Sequence, residues 1–324
     1  MAGLKAIKLK IRSIEKTQKV TKAMEAVSAS KMRKAQSRAL AGRAYARAAV
    51  SILARLSGSR ELASHQLLRG AESTAAFTLA ARRVHSAADS APRSALYIII
   101  TSDKGLAGAL NSAVLRAVIA DIAGKGLSSK NVSIIAVGRK ANDFFAARGF
   151  TVETYHQNTG SIDSTLVSQL VDEAALRFAG EQTDLVRIAY QNFRSTFEQR
   201  PTIRTIFPLS LNELEGVVHD IVPARGAFSD TKEESHPRTY TIEPSEEEVL
   251  SVILPRLASI FVYHALLESQ ASEHSARMVA MKSASDKAEE LTDAFTLAFN
   301  KARQAAITRE VSEITGGMEA MSTN

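Results

Sequence analysis

Two stretches at opposite ends of the chain restrict what it can fold into more than anything between them. The first, Leu4 to about Leu56, contains no proline and a single glycine, Gly42. Apolar or small side chains recur at Leu4, Ile7, Ile11, Ile14, Thr21, Met24 and Val27, with Met32 continuing the stripe. Steps of three and four hold these positions on one face of a helix. The positions between are rich in Ala, Lys, Arg and Met, all strong helix formers. At 1.5 Å per residue the helix would run roughly 80 Å. A compact domain of this chain's size cannot contain such a length, so the helix must project and bury its stripe against a partner.

The other end of the chain supplies a matching face. From Ile253 the same rhythm passes through Leu257, Ile260, His264, Leu267, Ala271, His274, Met278, Met281, Ser285, Ala288, Thr292, Phe295, Phe299, Ala302 and Ala306. A heptad seam sustained over so many turns predicts a coiled coil. Both helices must leave and rejoin whatever lies between them, so the simplest pairing is antiparallel. The C-terminal helix, from about Ser245 to Thr315, is the longer at roughly 105 Å. Its surplus, near Glu246 to Glu268, is expected to rest on the middle of the chain. Pro244, Ser245 and Glu246 to Glu248 mark its start, with capping-box spacing between Ser245 and Glu248. Pro255 lies far enough inside to kink the helix or restart it.

The charge is one-sided. The chain carries +7 overall, yet residues 1–60 hold fifteen Lys and Arg against only Glu15 and Glu25, leaving the remainder net acidic. A basic rod on a mildly acidic body calls for an acidic partner. The 324 residues suit one or two domains, and there is no cysteine, which excludes disulfides, thiolate catalysis and zinc–thiolate sites. The N-terminus lacks the apolar core of a secretory signal. No uninterrupted apolar run of about eighteen residues suggests a membrane span. The expectation is a soluble protein facing the cytoplasm.

Between the long helices the pattern changes period. Ala95 to Thr101, Val132 to Val137, Thr151 to Tyr155, Asp184 to Phe193 and Thr202 to Phe207 read as strands. Helical patterns run to about Ala123, from Arg139 to Arg148, and from an Asp163 or Ser164 cap to Phe178. Alternating strands and helices predict a mostly parallel, Rossmann-like sheet covered on both faces. Residues 60–91 read as an alanine-rich linker, and 209–240 as a polar, acidic insertion or long loop. The expected division is therefore 1–58 for the first coiled-coil helix, 59–243 for the α/β domain and 244–324 for the second helix.

No residues form a convincing catalytic set. Gly105 and Gly108 follow the first strand where a dinucleotide fingerprint would lie, but neither its spacing nor that of a Walker loop is present, so a tight turn is favoured. The seven histidines lack metal-ligand spacing. His264 and His274 fall on the seam, where a polar residue fixing register is the simpler reading. No catalytic residue, cofactor or metal is expected.

Longer motifs carry a resemblance. The run from Ile11 to Gln36, IRSIEKTQKVTKAMEAVSASKMRKAQ, resembles the opening of the gamma subunit of F-type rotary ATP synthases. So do TSDKGLAGALN at 101–111, LLESQASEHSARMVAMKSASDKAEEL at 266–291 and FNKARQAAITREVSEITGG at 299–317. Ala107 and Ala109 stand where many members have cysteine and glycine, and Met318 where alanine is usual. The 209–240 stretch holds no cysteine pair, so redox regulation of the chloroplast type is not implied. The resemblance implies a non-catalytic rotor. Its antiparallel coil turns inside a hexamer of alpha and beta subunits, and its α/β foot meets an epsilon-type subunit and the membrane ring of c subunits. It implies partner contacts at Met24, Lys22, Lys31, Arg33, Arg303, Gln304, Thr308 and Glu310, at Asp103 and Lys104 in the turn ending at Asn111, and near the ring at Phe207 to Glu215. It also implies a peripheral place on the cytoplasmic face of the plasma (inner) membrane, and no nucleic acid. The residues alone leave three rivals: a basic coiled coil binding nucleic acid, a Rossmann-type nucleotide enzyme, and a coiled-coil scaffold. The first lacks aromatic platforms and a recognised motif.

Overall fold

The computed structural model of the protein describes residues 2–41, 92–158, 160, 162–208 and 245–322. The far end of the first helix, the 60–91 linker and the 209–240 stretch lie outside them. The described residues form α1 (Ala2–Ala41), β1 (Ala95–Ile100), α2 (Leu110–Gly124), β2 (Val132–Val137), α3 (Arg139–Ala146), β3 (Thr151–His156), α4 (Ser164–Ala179), β4 (Leu185–Phe193), β5 (Gln199–Phe207) and α5 (Glu246–Ser322). They divide into two compact units, Met1–Ser30 with Arg277–Asn324, and Lys31–Ala276. Helix α5 supplies residues to both.

The larger unit is built on a five-stranded sheet of order β3-β2-β1-β4-β5. Strands β1 to β4 are parallel and β5 returns antiparallel along β4. That return explains why strand pairing extends back to Gln199, before the β-branched run at Thr202. Strand β1 is wholly buried because it is central and covered on both faces. Its side chains alternate, as the pleat requires. Leu96, Ile98 and Ile100 enter one core with Leu170 and Val171 of α4 and Leu254, Leu257, Phe261 and Val262 of α5. Tyr97 and Ile99 enter the other with Val118 and Ile122 of α2 and Phe145 of α3. The expected surplus of the second long helix is thus a wall of the α/β core. The window from Val252 is apolar enough on average to cross a membrane by length and composition, although Arg256 interrupts it. Much of its apolar surface is buried against the sheet.

Two local expectations change. Asp163 precedes α4 without a side-chain capping bond. Helix α5 continues through Pro255 to Ser322, so the proline does not restart it. The capping bond expected at its start is present, with the Glu248 N–H donating to Ser245 Oγ at 3.3 Å.

The smaller unit is an antiparallel helix pair. Gln18 Nε2 donates to Glu289 Oε2 at 3.2 Å, and Lys10 Nζ lies 5.7 Å from the centre of the Phe295 ring. Residue numbers fall on α5 as they rise on α1, which is the antiparallel sense. Ser285 and Ala288 are buried, and Thr292, Phe295, Phe299, Ala302 and Ala306 half-buried, as the seam predicts. On α1 the covered positions include Leu4, Ile7, Ile11, Ile14, Gln18, Thr21, Glu25 and Ser28, a strict alternation of three and four. Val27, expected on the stripe, is 55% exposed, while Ser28 is 3% exposed. Heptad phase outranks hydrophobicity there, because the facing helix accepts only the position that points at it.

Candidate functional site

The turn after β1 is held from below by an unusual density of bonds. Thr101 is buried at the carboxyl end of β1. Its Oγ1 accepts the Ala141 N–H at 3.0 Å, and its carbonyl accepts Asn158 Nδ2 at 2.9 Å. Ser102 and Asn111 clasp the two ends of the turn. The Ser102 N–H donates to Asn111 Oδ1 at 3.0 Å, Asn111 Nδ2 donates to Ser102 Oγ at 2.7 Å, and Ser102 Oγ donates to the Lys104 carbonyl at 2.6 Å. Within this clasp Leu106 and Gly108 adopt positive φ, 65° and 57°. The glycine turn is therefore a rigid scaffold, as the tight-turn reading expects.

The clasp presents Lys104 and Leu106 outward; Leu106 is 62% exposed. Asp103 is half-buried and accepts the Arg139 N–H at 2.8 Å, with the Tyr155 hydroxyl at 3.5 Å. Partial burial, then the Asp103 carboxylate, raises the Tyr155 phenol above its ordinary value. Gly138 lies beside this end of β1 with φ 98°. These groups form a shaped, mixed-charge surface. Among the described residues no three His, Cys, Asp or Glu side chains gather as a metal site.

The remaining sequence-derived contact residues lie on the long helices. Lys22, Lys31 and Arg33 are exposed on α1, and Met24 is half-buried. Arg303, Gln304, Thr308 and Glu310 are exposed near the end of α5, where Thr308 Oγ1 donates to the Gln304 carbonyl at 3.0 Å. The contacts at Gln18 and Lys10 set the register. By that register Met24 faces the neighbourhood of Met281, roughly 30 Å along the axis from Arg303. The two groups therefore occupy different levels of the coil.

The sequence reading missed a third feature. With Lys10 opposite Phe295, the first turn of α1 is reached near Arg303, and α5 continues as a single helix to Ser322. This last part carries exposed Ile307, Val311, Ile314 and Met318, four apolar residues at steps of four, three and four. Their spacing was legible. Continued past Ala306, the seam would select Arg309, Glu313 and Gly316, so these four apolar residues lie on a different face of the helix.

Comparison with known proteins agrees with this architecture. Residues 3–321 match the family model described as ATP synthase. The ATP synthase gamma chain of Heliobacterium modesticaldum is 35% identical over 325 residues, covering 99% of this chain and all of the relative. A chain from the Tetrahymena thermophila mitochondrial ATP synthase central stalk and c-ring structure is 25% identical, with a TM-score of 0.54 over 82% of this chain and 99% of that one. A chain of the Euglena gracilis mitochondrial ATP synthase structure, containing OSCP, F1 and the c-ring, matches in fold. Its TM-score is 0.62 at 18% identity, over 99% of this chain and 95% of that one. A two-helix antiparallel coil, a Rossmann-like sheet walled by the longer helix, and full-length similarity to curated relatives place the chain in the ATP synthase gamma-chain family.

Proposed function

We propose that the chain is the central-stalk rotor of a proton-translocating ATP synthase and itself catalyses nothing. Residues 1–58 and 244–324 form the shaft, and 59–243 the foot. The observation that carries this reading is α5 itself. A single helix of 77 residues is half of the antiparallel coil and also a wall of the α/β core. A load applied to the sheet would have the continuous backbone of α5 as its path toward the coil. A ring of alpha and beta subunits around the coil would meet Lys22, Met24, Lys31 and Arg33 at one level and Arg303, Gln304, Thr308 and Glu310 at another. It would meet Asp103 and Lys104 at the turn. The exposed apolar stripe from Ile307 to Met318 suits an apolar collar at the far end of the ring. An epsilon-type subunit and the c-ring are the foot's partners, which puts the chain peripherally on the cytoplasmic face of the plasma (inner) membrane. As the rotor turns, each catalytic site would meet a different face of the shaft, so its nucleotide affinity would follow shaft angle.

Pull-down of the tagged chain tests the assembly. The expected result is alpha- and beta-type subunits in the eluate with ATPase activity, and their absence would contradict the reading. Met24→Lys then tests coupling. A second cation at a half-buried level of the coil should leave ATP hydrolysis nearly intact and lower ATP-driven proton pumping severalfold. Unchanged pumping per ATP would argue against the contact.

A further inference from the structure

The base of α5 meets the sheet in two different ways. From Leu254 to Leu266 it packs through apolar side chains. Such contacts are non-directional and hold a helix against separation better than against slipping. Beyond them the helix turns polar while staying buried: Ser269, Gln270, Ser272 and Ser275 are each at most 5% exposed. Polar side chains in so buried a position are costly unless they bond to something specific.

Two of them do. Ser272 Oγ donates to the Gln191 carbonyl at 3.1 Å. Gln191 lies two residues past the last β1–β4 pair, Ile99 with Ala189, so β1 offers that carbonyl no donor. The Gln191 side chain continues the path, its Nε2 donating to the carbonyl of Leu110, the first residue of α2, at 2.9 Å. Ser275, one turn further along α5, donates to the Thr196 carbonyl at the tip of the β4–β5 hairpin at 2.7 Å. Gln199 Nε2 reaches both the Thr196 carbonyl, at 3.0 Å, and Ser275 Oγ, at 3.5 Å. The hairpin tip is itself tied down by Ser195, whose Oγ accepts the Phe197 and Glu198 N–H groups.

We infer that Ser272 and Ser275 are positioning residues that key the shaft helix to the foot against axial rotation. This rests on the rotor reading. Hydrogen bonds weaken steeply with misalignment. A small turn of α5 about its own axis would swing both hydroxyls away from fixed backbone carbonyls, at two levels of the sheet edge. It would also take from the buried Gln191 carbonyl its Ser272 donor. The Ser272–Gln191–Leu110 path carries the same restraint to the start of α2, where the turn bearing Lys104 and Leu106 ends.

The test uses the assembled synthase in proton-tight phospholipid vesicles, comparing wild type with Ser272→Ala/Ser275→Ala. Hydrolysis by the complex released in detergent should stay within about twofold of wild type. Protons pumped per ATP against an established gradient should fall about fivefold, the factor one net hydrogen bond represents, because the helix slips only under load. A wild-type ratio at every gradient would overturn the proposal. Should the double alanine variant not assemble, the Ser272→Thr/Ser275→Thr and Ser272→Val/Ser275→Val pair decides, since these side chains match in shape and differ in the hydroxyl. Coupling retained by Thr and lost by Val supports the keys; equal coupling in both overturns them. Absence of any coupled pumping in the wild-type assembly would instead be a failure of the rotor reading.

Discussion

A Cβ on Gly138 would lie 2.1 Å from the Thr101 carbonyl oxygen, and the backbone there has φ 98°. Both the space and the conformation demand glycine, so Gly138→Ala should destabilise the α/β unit by more than about 3 kcal/mol in denaturant unfolding. Nothing in the sequence distinguished this glycine from its neighbours, because the obstructing carbonyl comes from a strand 37 residues earlier. A second residue-scale demand is the Arg187–Asp121–Tyr97 group. Asp121 receives Arg187, and the Tyr97 hydroxyl donates to it at 2.6 Å. Burial, then the Asp121 bond, holds the Tyr97 phenol well above its ordinary value. Asp121→Ala strands a largely buried guanidinium and should cost about 3 kcal/mol, whereas Tyr97→Phe removes one bond and should cost about 1 kcal/mol. Equal costs would refute that ordering. Arg177, by its hydrogen bond first, keeps the Glu153 carboxyl below its ordinary value of 4.5. A depressed carboxylate stabilises the fold above its unfolded-state value and loses that contribution as pH falls through the folded one. Glu153→Gln should therefore lose at most about 1 kcal/mol at neutral pH, and should lose less further stability than wild type as the pH is lowered below about 4.5.

At the scale of elements, the strands and the C-terminal seam were legible because each is a periodic signal. The 253–306 heptad names positions that are all buried or half-buried. On α1 the signal misled. Met24 and Val27 are more hydrophobic than Glu25 and Ser28, yet the heptad runs through the latter pair, with Ser28 buried and Val27 exposed. On α1 the buried positions there include the polar Thr21 and Ser28, so hydrophobicity was a poor guide to phase. Two substitutions separate these possibilities. Ser28→Asp should cost about 2–3 kcal/mol by burying a charge in the coil. Val27→Asp should change stability by no more than about 0.5 kcal/mol, with helicity followed by circular dichroism through thermal melts. The reverse order would place Val27 on the seam after all. The antiparallel β5 and the buried serines of α5 were not legible. Strand sense depends on a hairpin whose turn lacks a glycine signal, and a serine's acceptor is set by tertiary contact alone.

At the scale of the whole molecule, composition points to an acidic partner and the long helices to a shaft, whereas full-length similarity to gamma chains supplies the family, on which the proposed ring of alpha and beta subunits rests. The absence of cysteine provides a direct approach, because a single introduced thiol is unique in this chain. Lys130 is exposed just before β2, and Lys130→Cys gives the foot one attachment point. With the alpha- and beta-type ring fixed to glass and a bead on that cysteine, the account predicts stepwise rotation in one direction whenever ATP is supplied, stopping when it is withdrawn. A bead that stays still, or jitters without net direction, while the same fixed complexes hydrolyse ATP would contradict it.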